Sequence, residues 1–151
     1  MELLESLREE GEKAIVFCRF TAEINAISEA MTARKIPYLV MTGGTSWAMR
    51  TAPVMSFQHS EQPVVMLMQE VVGSMSICLD TARTNIYYSM TFSLVDFQQS
   101  RDRIMGRGQK NDVTNYFLAV ENSADYKVMN TLKNDEDLAS EIGDKYTWLL
   151  S

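Results

Sequence analysis

Arg101, Arg103, Arg107 and Lys110 crowd into one stretch, Gln98-Gln99-Ser100-Arg101-Asp102-Arg103-Ile104-Met105-Gly106-Arg107-Gly108-Gln109-Lys110, in a chain whose formal net charge is −6. Guanidinium groups are planar forks of donors that match phosphate oxygens two at a time. A cluster of them on a helix that runs into a glycine turn therefore suits phosphate recognition. Cations at a helix C-terminus are also favoured by the helix dipole, so the spacing alone leaves a phosphate site and a solvated helix end both open.

The elements that would position this stretch show in the hydropathy pattern. Short apolar runs alternate with segments of helical period, which predicts parallel strands joined by crossover helices. Strands are expected at Ala14–Phe17, Tyr38–Val40, Val64–Leu67, Ile86–Tyr88 and Val113–Ala119. Ala14 to Cys18 is apolar throughout, as a strand buried on both faces of a parallel sheet must be. Thr21 is placed to cap a helix whose Ile24, Ile27 and Met31 share a face. Gly43-Gly44 gives a turn where positive φ is cheap. Thr45 or Ser46 can cap the next helix, in which Pro53 predicts a late start, a kink or a break. Ser93 and Asp96 resemble a capping box for a helix over Leu94–Met105, and Ser123 can cap a helix carrying Tyr126, Met129 and Leu132. Terminal helices are expected over 2–10 and over 135–149, the second carrying Leu138, Ile142 and Leu149.

Composition narrows the classes. With 151 residues, 46% of them hydrophobic, the chain is long enough for one domain with a substantial core and short for two. The acidic balance argues against a surface that grips nucleic acid over its whole area, so any such contact must be local. Cys18 and Cys78 sit in apolar runs without metal-ligand spacing, which reads as buried reduced thiols. No metal site is expected, and the lone His59 reads as structural or solvated. The start has apolar residues at positions 3, 4 and 7 among glutamates, an amphipathic pattern unlike a signal peptide. No apolar run approaches membrane-spanning length, so a cytoplasmic protein without a membrane partner is expected. The 11 methionines more often fill core gaps than line a cofactor box.

The arginine-rich stretch resembles motif VI of the superfamily-two helicases, most closely the Swi/Snf-like branch and its phage relatives. The rest agrees in order. Lys13-Ala-Ile-Val-Phe-Cys-Arg-Phe-Thr21 is similar to the strand and turn that open the second RecA-like domain. Tyr38-Leu-Val-Met-Thr-Gly-Gly-Thr45, with Arg50 and Phe57, is similar to the next strand, glycine turn and helix. Val64–Met68 followed by Gly73–Ala82 sits where motif V belongs, and Val113–Val120 resembles the last strand. The resemblance covers residues 12–133. It implies one RecA-like three-layer α/β domain, a mostly parallel sheet flanked by helices.

That family hydrolyses ATP in the cleft between two such domains, with motif VI arginines reaching the γ-phosphate. By resemblance Arg103 is the first finger. Arg107 is the second, although it stands one residue later than the usual register. Nucleotide-binding roles follow for Gln99, Gly73 and Asp80, and nucleic-acid contacts for Arg19, Thr21, Thr42, Gly43, Gly44 and Ser74. Motif V departs from the pattern by keeping one glycine and holding Cys78 where Asn is usual.

The chain lacks the Gly-x-x-x-x-Gly-Lys-Ser/Thr loop that cradles phosphates and holds Mg²⁺. It is therefore expected to be the C-terminal half of a DNA translocase, inactive alone, whose ATP and Mg²⁺ sit on an N-terminal RecA-like partner domain in the same or a separate chain. Two other readings remain: a degenerate RecA-like protein-interaction module, or another doubly wound nucleotide-binding domain with its own pocket at the strand ends.

Overall fold

The computed structural model describes residues 1–73, 79–89, 112–120, 123, 126 and 146–150; for Trp47, Val71, Gly73 and 146–150 it describes the backbone alone. The elements run α1 (Glu2–Glu9), β1 (Ala14–Cys18), α2 (Thr21–Ala33), β2 (Tyr38–Met41), α3 (Trp47–His59), β3 (Val65–Gln69), α4 (Glu70–Gly73), β4 (Thr84–Tyr87), β5 (Thr114–Ala119) and β6 (Tyr146–Leu150). Six strands pair in the order β2-β3-β1-β4-β5-β6, every neighbour parallel.

The apolar runs explain this arrangement. All five residues of β1 are buried because the strand has a sheet neighbour on each side and a helical layer on each face. Ala14, Val16 and Cys18 point to the face covered by Leu4 and Leu7 of α1 and by Ile24, Ile27 and Met31 of α2. Ile15 and Phe17 point to the opposite face, with Phe57 of α3, Val72, Leu79 and Ala82. The three layers are thus helix, sheet, helix. On the second face Phe17, Tyr87 and Phe117 are register partners on β1, β4 and β5, and their rings stack at centroid separations of 5.1 and 4.7 Å. Two positions earlier, Asn85 and Asn115 face each other in the buried sheet, Asn85 Nδ2 donating to Asn115 Oδ1 at 2.9 Å.

Local expectations need correction at four points. The terminal helix expected over 135–149 does not extend to its end, since Tyr146–Leu150 forms β6 beside β5; Tyr-Thr-Trp is a β-favouring start. Phe20, not Thr21, holds the N-cap of α2, and Glu23 reaches back to accept from the Phe20 N–H at 3.0 Å, so Thr21 is simply the first, exposed residue of the helix. Neither Gly43 nor Gly44 has positive φ; among the described residues that conformation falls to Gly11 and Lys35. Finally, α3 runs unbroken through Pro53. The missing N–H deprives the carbonyl of Met49, a residue 69% exposed where water can substitute. The cap at Ser123 is present, its Oγ accepting from the Tyr126 N–H at 3.1 Å.

Lys13, at the entry to β1, closes the other end of α3. Its Nζ donates to the carbonyls of Phe57 at 2.7 Å and Gln58 at 3.1 Å and lies 5.5 Å from the Phe57 ring centroid. Burial lowers its pKa from the ordinary lysine value, yet a cation at the carbonyl end of a helix is favoured by the dipole. Lys13→Met keeps the stem and removes the donors. It should cost about 1–2 kcal/mol, read as a lower urea midpoint at unchanged slope.

Candidate nucleic-acid interface

Ligands of open α/β sheets bind beyond the carboxyl ends of the strands, where neighbouring strands send their connections to opposite faces. Here that point lies between β1 and β3. The chain leaves β1 toward the α1/α2 face, and leaves β3 through α4, whose Val72 packs on the other face. Arg19 and Gln69 flank it.

Four strand ends are tied together along this edge. Gly43, following β2, donates its N–H to Gln69 Oε1 at 2.9 Å, and Gln69 Nε2 donates to the Arg19 carbonyl at 3.3 Å. The Arg19 N–H donates to Ser89 Oγ at 2.7 Å, and Ser89 Oγ–H donates to Glu23 Oε2 at 2.6 Å. That same carboxylate oxygen takes the Phe20 N–H. Bonds to an ionised carboxylate are the stronger kind, so the β1–α2 loop is held firmly although Phe20 is 53% exposed. The Arg19 guanidinium lies over the Phe20 ring, 4.9 Å from its centroid.

The β2–α3 turn is braced from within. The Thr42 N–H donates to Thr45 Oγ1 at 3.2 Å, and the Thr45 N–H donates to the Thr42 carbonyl at 3.0 Å. Arg50, buried, donates from Nε to the Thr45 carbonyl at 2.7 Å and from its second terminal nitrogen to the Gly43 carbonyl at 3.4 Å. Thr45, read as a cap candidate, closes the turn instead, and Ser46 occupies the cap position without a side-chain bond. Gly43 and Gly44 are exposed at the apex. A Cβ on Gly44 would meet only Thr42 Oγ1, at 3.8 Å. With φ ordinary and space available, what glycine gives this turn is a bare backbone that another molecule can approach.

Of the residues expected to bind nucleic acid, the structure brings Arg19, Thr42, Gly43 and Gly44 to one edge, with Thr21 exposed at the start of α2. Gly73 ends α4, which begins directly after Gln69. Asp80 is not brought there. It lies in the turn between Leu79 and Ala82 that enters β4, at the edge where the strands begin. Ser74, Cys78, Gln99, Arg101, Arg103 and Arg107 lie outside the described residues, as does the helix expected over Leu94–Met105. Sequence reasoning missed Gln69, Glu23 and Ser89. Two of them carry a signal that could have been used: each is a polar residue immediately after, or one residue beyond, an apolar run that ends at the ligand edge of a parallel sheet. Cys18 ends β1 fully buried. Burial, then the Glu23 carboxylate, push its thiol up to about 12. A raised thiol favours the folded state below its unfolded value and loses that contribution as pH rises through the alkaline range.

The profile of the helicase conserved C-terminal domain matches residues 1–108. The chain belongs to that family. Its relatives set it in the Swi/Snf-like branch. It is 29% identical over 95% of its length to the ATP-dependent helicase fft2 of Schizosaccharomyces pombe, and 30% identical over 85% to the chromatin-remodeling ATPase INO80 of Arabidopsis thaliana. It is 27% identical over 93% to the DNA repair protein rad5 of Neurospora crassa. The chain spans only 12%, 8% and 12% of the lengths of these relatives. All three are eukaryotic and lend no support to a phage-type origin. Among solved structures, the C-terminal part of the Fun30 ATPase domain matches the fold with a TM-score of 0.81 over 89% of this chain and 43% of that one, at 22% identity. The domain is therefore a C-terminal helicase domain with a RecA-like sheet. Among the described residues no helix is long and apolar enough to cross a membrane.

Proposed function

We propose that this domain is the second motor half of an ATP-dependent DNA translocase. In this reading a P-loop domain, in the same or a separate chain, holds ATP and Mg²⁺. The present domain closes the cleft with Arg103 as the arginine finger, Arg107 as the second, and Gln99 and Gly73 as polar and backbone support for the nucleotide. The DNA backbone runs along the edge built by Arg19, Thr21, Thr42, Gly43 and Gly44, with Ser74 beside it. Like the chromatin-remodelling and repair proteins it resembles, the parent protein would act where DNA is, in a nucleus or a cytoplasm.

The observation that carries the DNA side of this reading is the bare, braced turn at Thr42–Thr45, tied through Gln69 to Arg19 at the switch point of the sheet. A turn whose glycines are not required by φ, yet stand exposed and tied through Gln69 to the Arg19 backbone, fits close approach of a phosphate chain. Gly44→Ala in the parent motor should leave the melting temperature unchanged and weaken DNA binding about tenfold, or about 1.4 kcal/mol, by fluorescence anisotropy. Unchanged affinity would remove this turn from the DNA path.

The nucleotide side has its own check. Calorimetric titration of this chain with Mg·ATP should show no tight binding, because the phosphates would lack the backbone donors of a P-loop. The parent motor should hydrolyse ATP in a DNA-dependent way. Tight Mg²⁺-dependent binding by this chain alone would favour instead a doubly wound domain with its own nucleotide pocket.

A further inference from the structure

Five hydrogen bonds form an unbroken rail across the ligand edge, from Gly43 through Gln69, Arg19 and Ser89 to Glu23 and the Phe20 amide. The rail joins the ends of β2, β3, β1 and β4, in their order across the sheet. Its first station belongs to the exposed glycine turn and its middle to the loop that carries Arg19. Ser89 is buried and is the second residue after β4, where the chain sets out on the connection whose sequence contains Arg103.

We infer that Ser89 is a positioning residue that couples DNA contact to ATP hydrolysis, by locking the loop bearing Arg19 to the point where the finger-bearing connection leaves the sheet. This rests on the motor reading above. Ser89 has one hydroxyl, and both of its capacities are used: Oγ accepts from the Arg19 N–H and donates to Glu23. The Arg19 peptide is gripped from two sides, its N–H by Ser89 and its C=O by Gln69. A displacement of Arg19 by a bound phosphate must therefore stretch a bond to Ser89 or move it. The Ser89–Glu23 bond, 2.6 Å long and ending on a carboxylate, is of the short, charge-assisted kind, and coupling between sites is carried by contiguous packed and hydrogen-bonded groups. The Tyr88 N–H is itself bonded to the Phe17 carbonyl at 3.0 Å, which keeps the end of β4 aligned with β1 and passes motion on as a unit.

The test uses the parent two-domain motor. Ser89→Ala removes both bonds of the hydroxyl. The expected result is basal ATP turnover within about twofold of wild type and a half-saturating DNA concentration within about threefold, while the ratio of DNA-stimulated to basal turnover falls about tenfold, within the range of ordinary site-to-site coupling. Ser89→Thr keeps a hydroxyl at the same carbon and should restore the ratio. Gln69→Glu cuts the rail elsewhere: it still accepts from Gly43 but cannot donate to the Arg19 carbonyl, and it should lower the ratio in the same direction, including where Ser89→Ala proves unable to fold. An unchanged ratio in a folded variant, or basal and stimulated rates falling in parallel with the melting temperature, would overturn the coupling role. Absence of DNA stimulation in the wild-type motor would instead overturn the motor reading, and this inference with it.

Discussion

Arg103→Ala in the parent motor should lower DNA-stimulated kcat on the order of 10³-fold while leaving ATP and DNA affinities close to wild type. Charge spreads over the transferred phosphoryl oxygens as the bond to the leaving group stretches. A guanidinium already in place stabilises that charge without reorganising, so its loss falls on the transition state and not on ground-state binding. Arg103→Lys should not rescue, because an ammonium is a point charge and cannot reproduce the planar fork. Arg101→Ala should cost far less, since the family resemblance gives it no finger role. Arg107→Ala should fall between. One residue along a helix turns a side chain by about 100°, so Arg107 can reach the same phosphate only if the helix has ended by Gly106. Steady-state ATPase assays with a thermal melt on each variant decide the matter. Near-wild-type turnover in a folded Arg103→Ala protein would remove the finger and favour a RecA-like interaction module.

The largest effect on stability should come from Tyr87→Ala. Tyr87 is fully buried between Phe17 and Phe117, so truncation loses the transfer energy of a ring, leaves a cavity and breaks two stacking contacts at once. Such aromatic truncations cost about 3–5 kcal/mol, a large share of the roughly 5–15 kcal/mol that holds a domain together. The melting temperature should drop by roughly 10 °C or more for a chain of this size. Tyr87→Phe keeps the ring and should lose much less. Chemical denaturation of the two variants side by side separates stack from hydroxyl; equal losses would mean the stack contributes little.

Much of this fold was legible because a parallel sheet writes itself as continuous apolar runs. Ala14–Phe17, Tyr38–Val40 and Val64–Leu67 all fall in strands, with boundaries off by a residue or two. Tyr146–Leu150 was missed because Leu138, Ile142 and Leu149 offer a helical spacing, and only pairing with β5, a contact distant in sequence, shows that the last of them belongs to a strand. The glycine turn was found for the wrong reason: Gly43 and Gly44 signalled unusual φ, whereas Thr45 and Arg50 close the turn with ordinary backbone angles. At the site, the exposed turn and Arg19 were visible as residue types. The bonds that organise them were not, since Gln69, Glu23 and Ser89 are single polar residues without a repeating pattern, and their partners lie 26 to 70 positions away for all but the local Glu23–Phe20 bond.

The buried Asn85–Asn115 pair bears on how the sheet is assembled. A connection spanning residues 88–113 joins β4 to β5 and is far too long to dictate how the two strands align. Sliding β5 by one residue would turn Asn115 to the opposite side and set Tyr116 beside Asn85, reversing every side chain of the strand. Asn85 would keep an amide donor in an apolar layer with no acceptor, at about 1–3 kcal/mol. In the native alignment Asn115 Oδ1 takes that donor, while Asn85 Oδ1 meets no partner among the described residues. The pair thus acts less as cement than as a key in a lock. It admits one alignment of β5, and because β6, among the described residues, joins the sheet through β5, the two outer strands inherit their frame from this single amide contact.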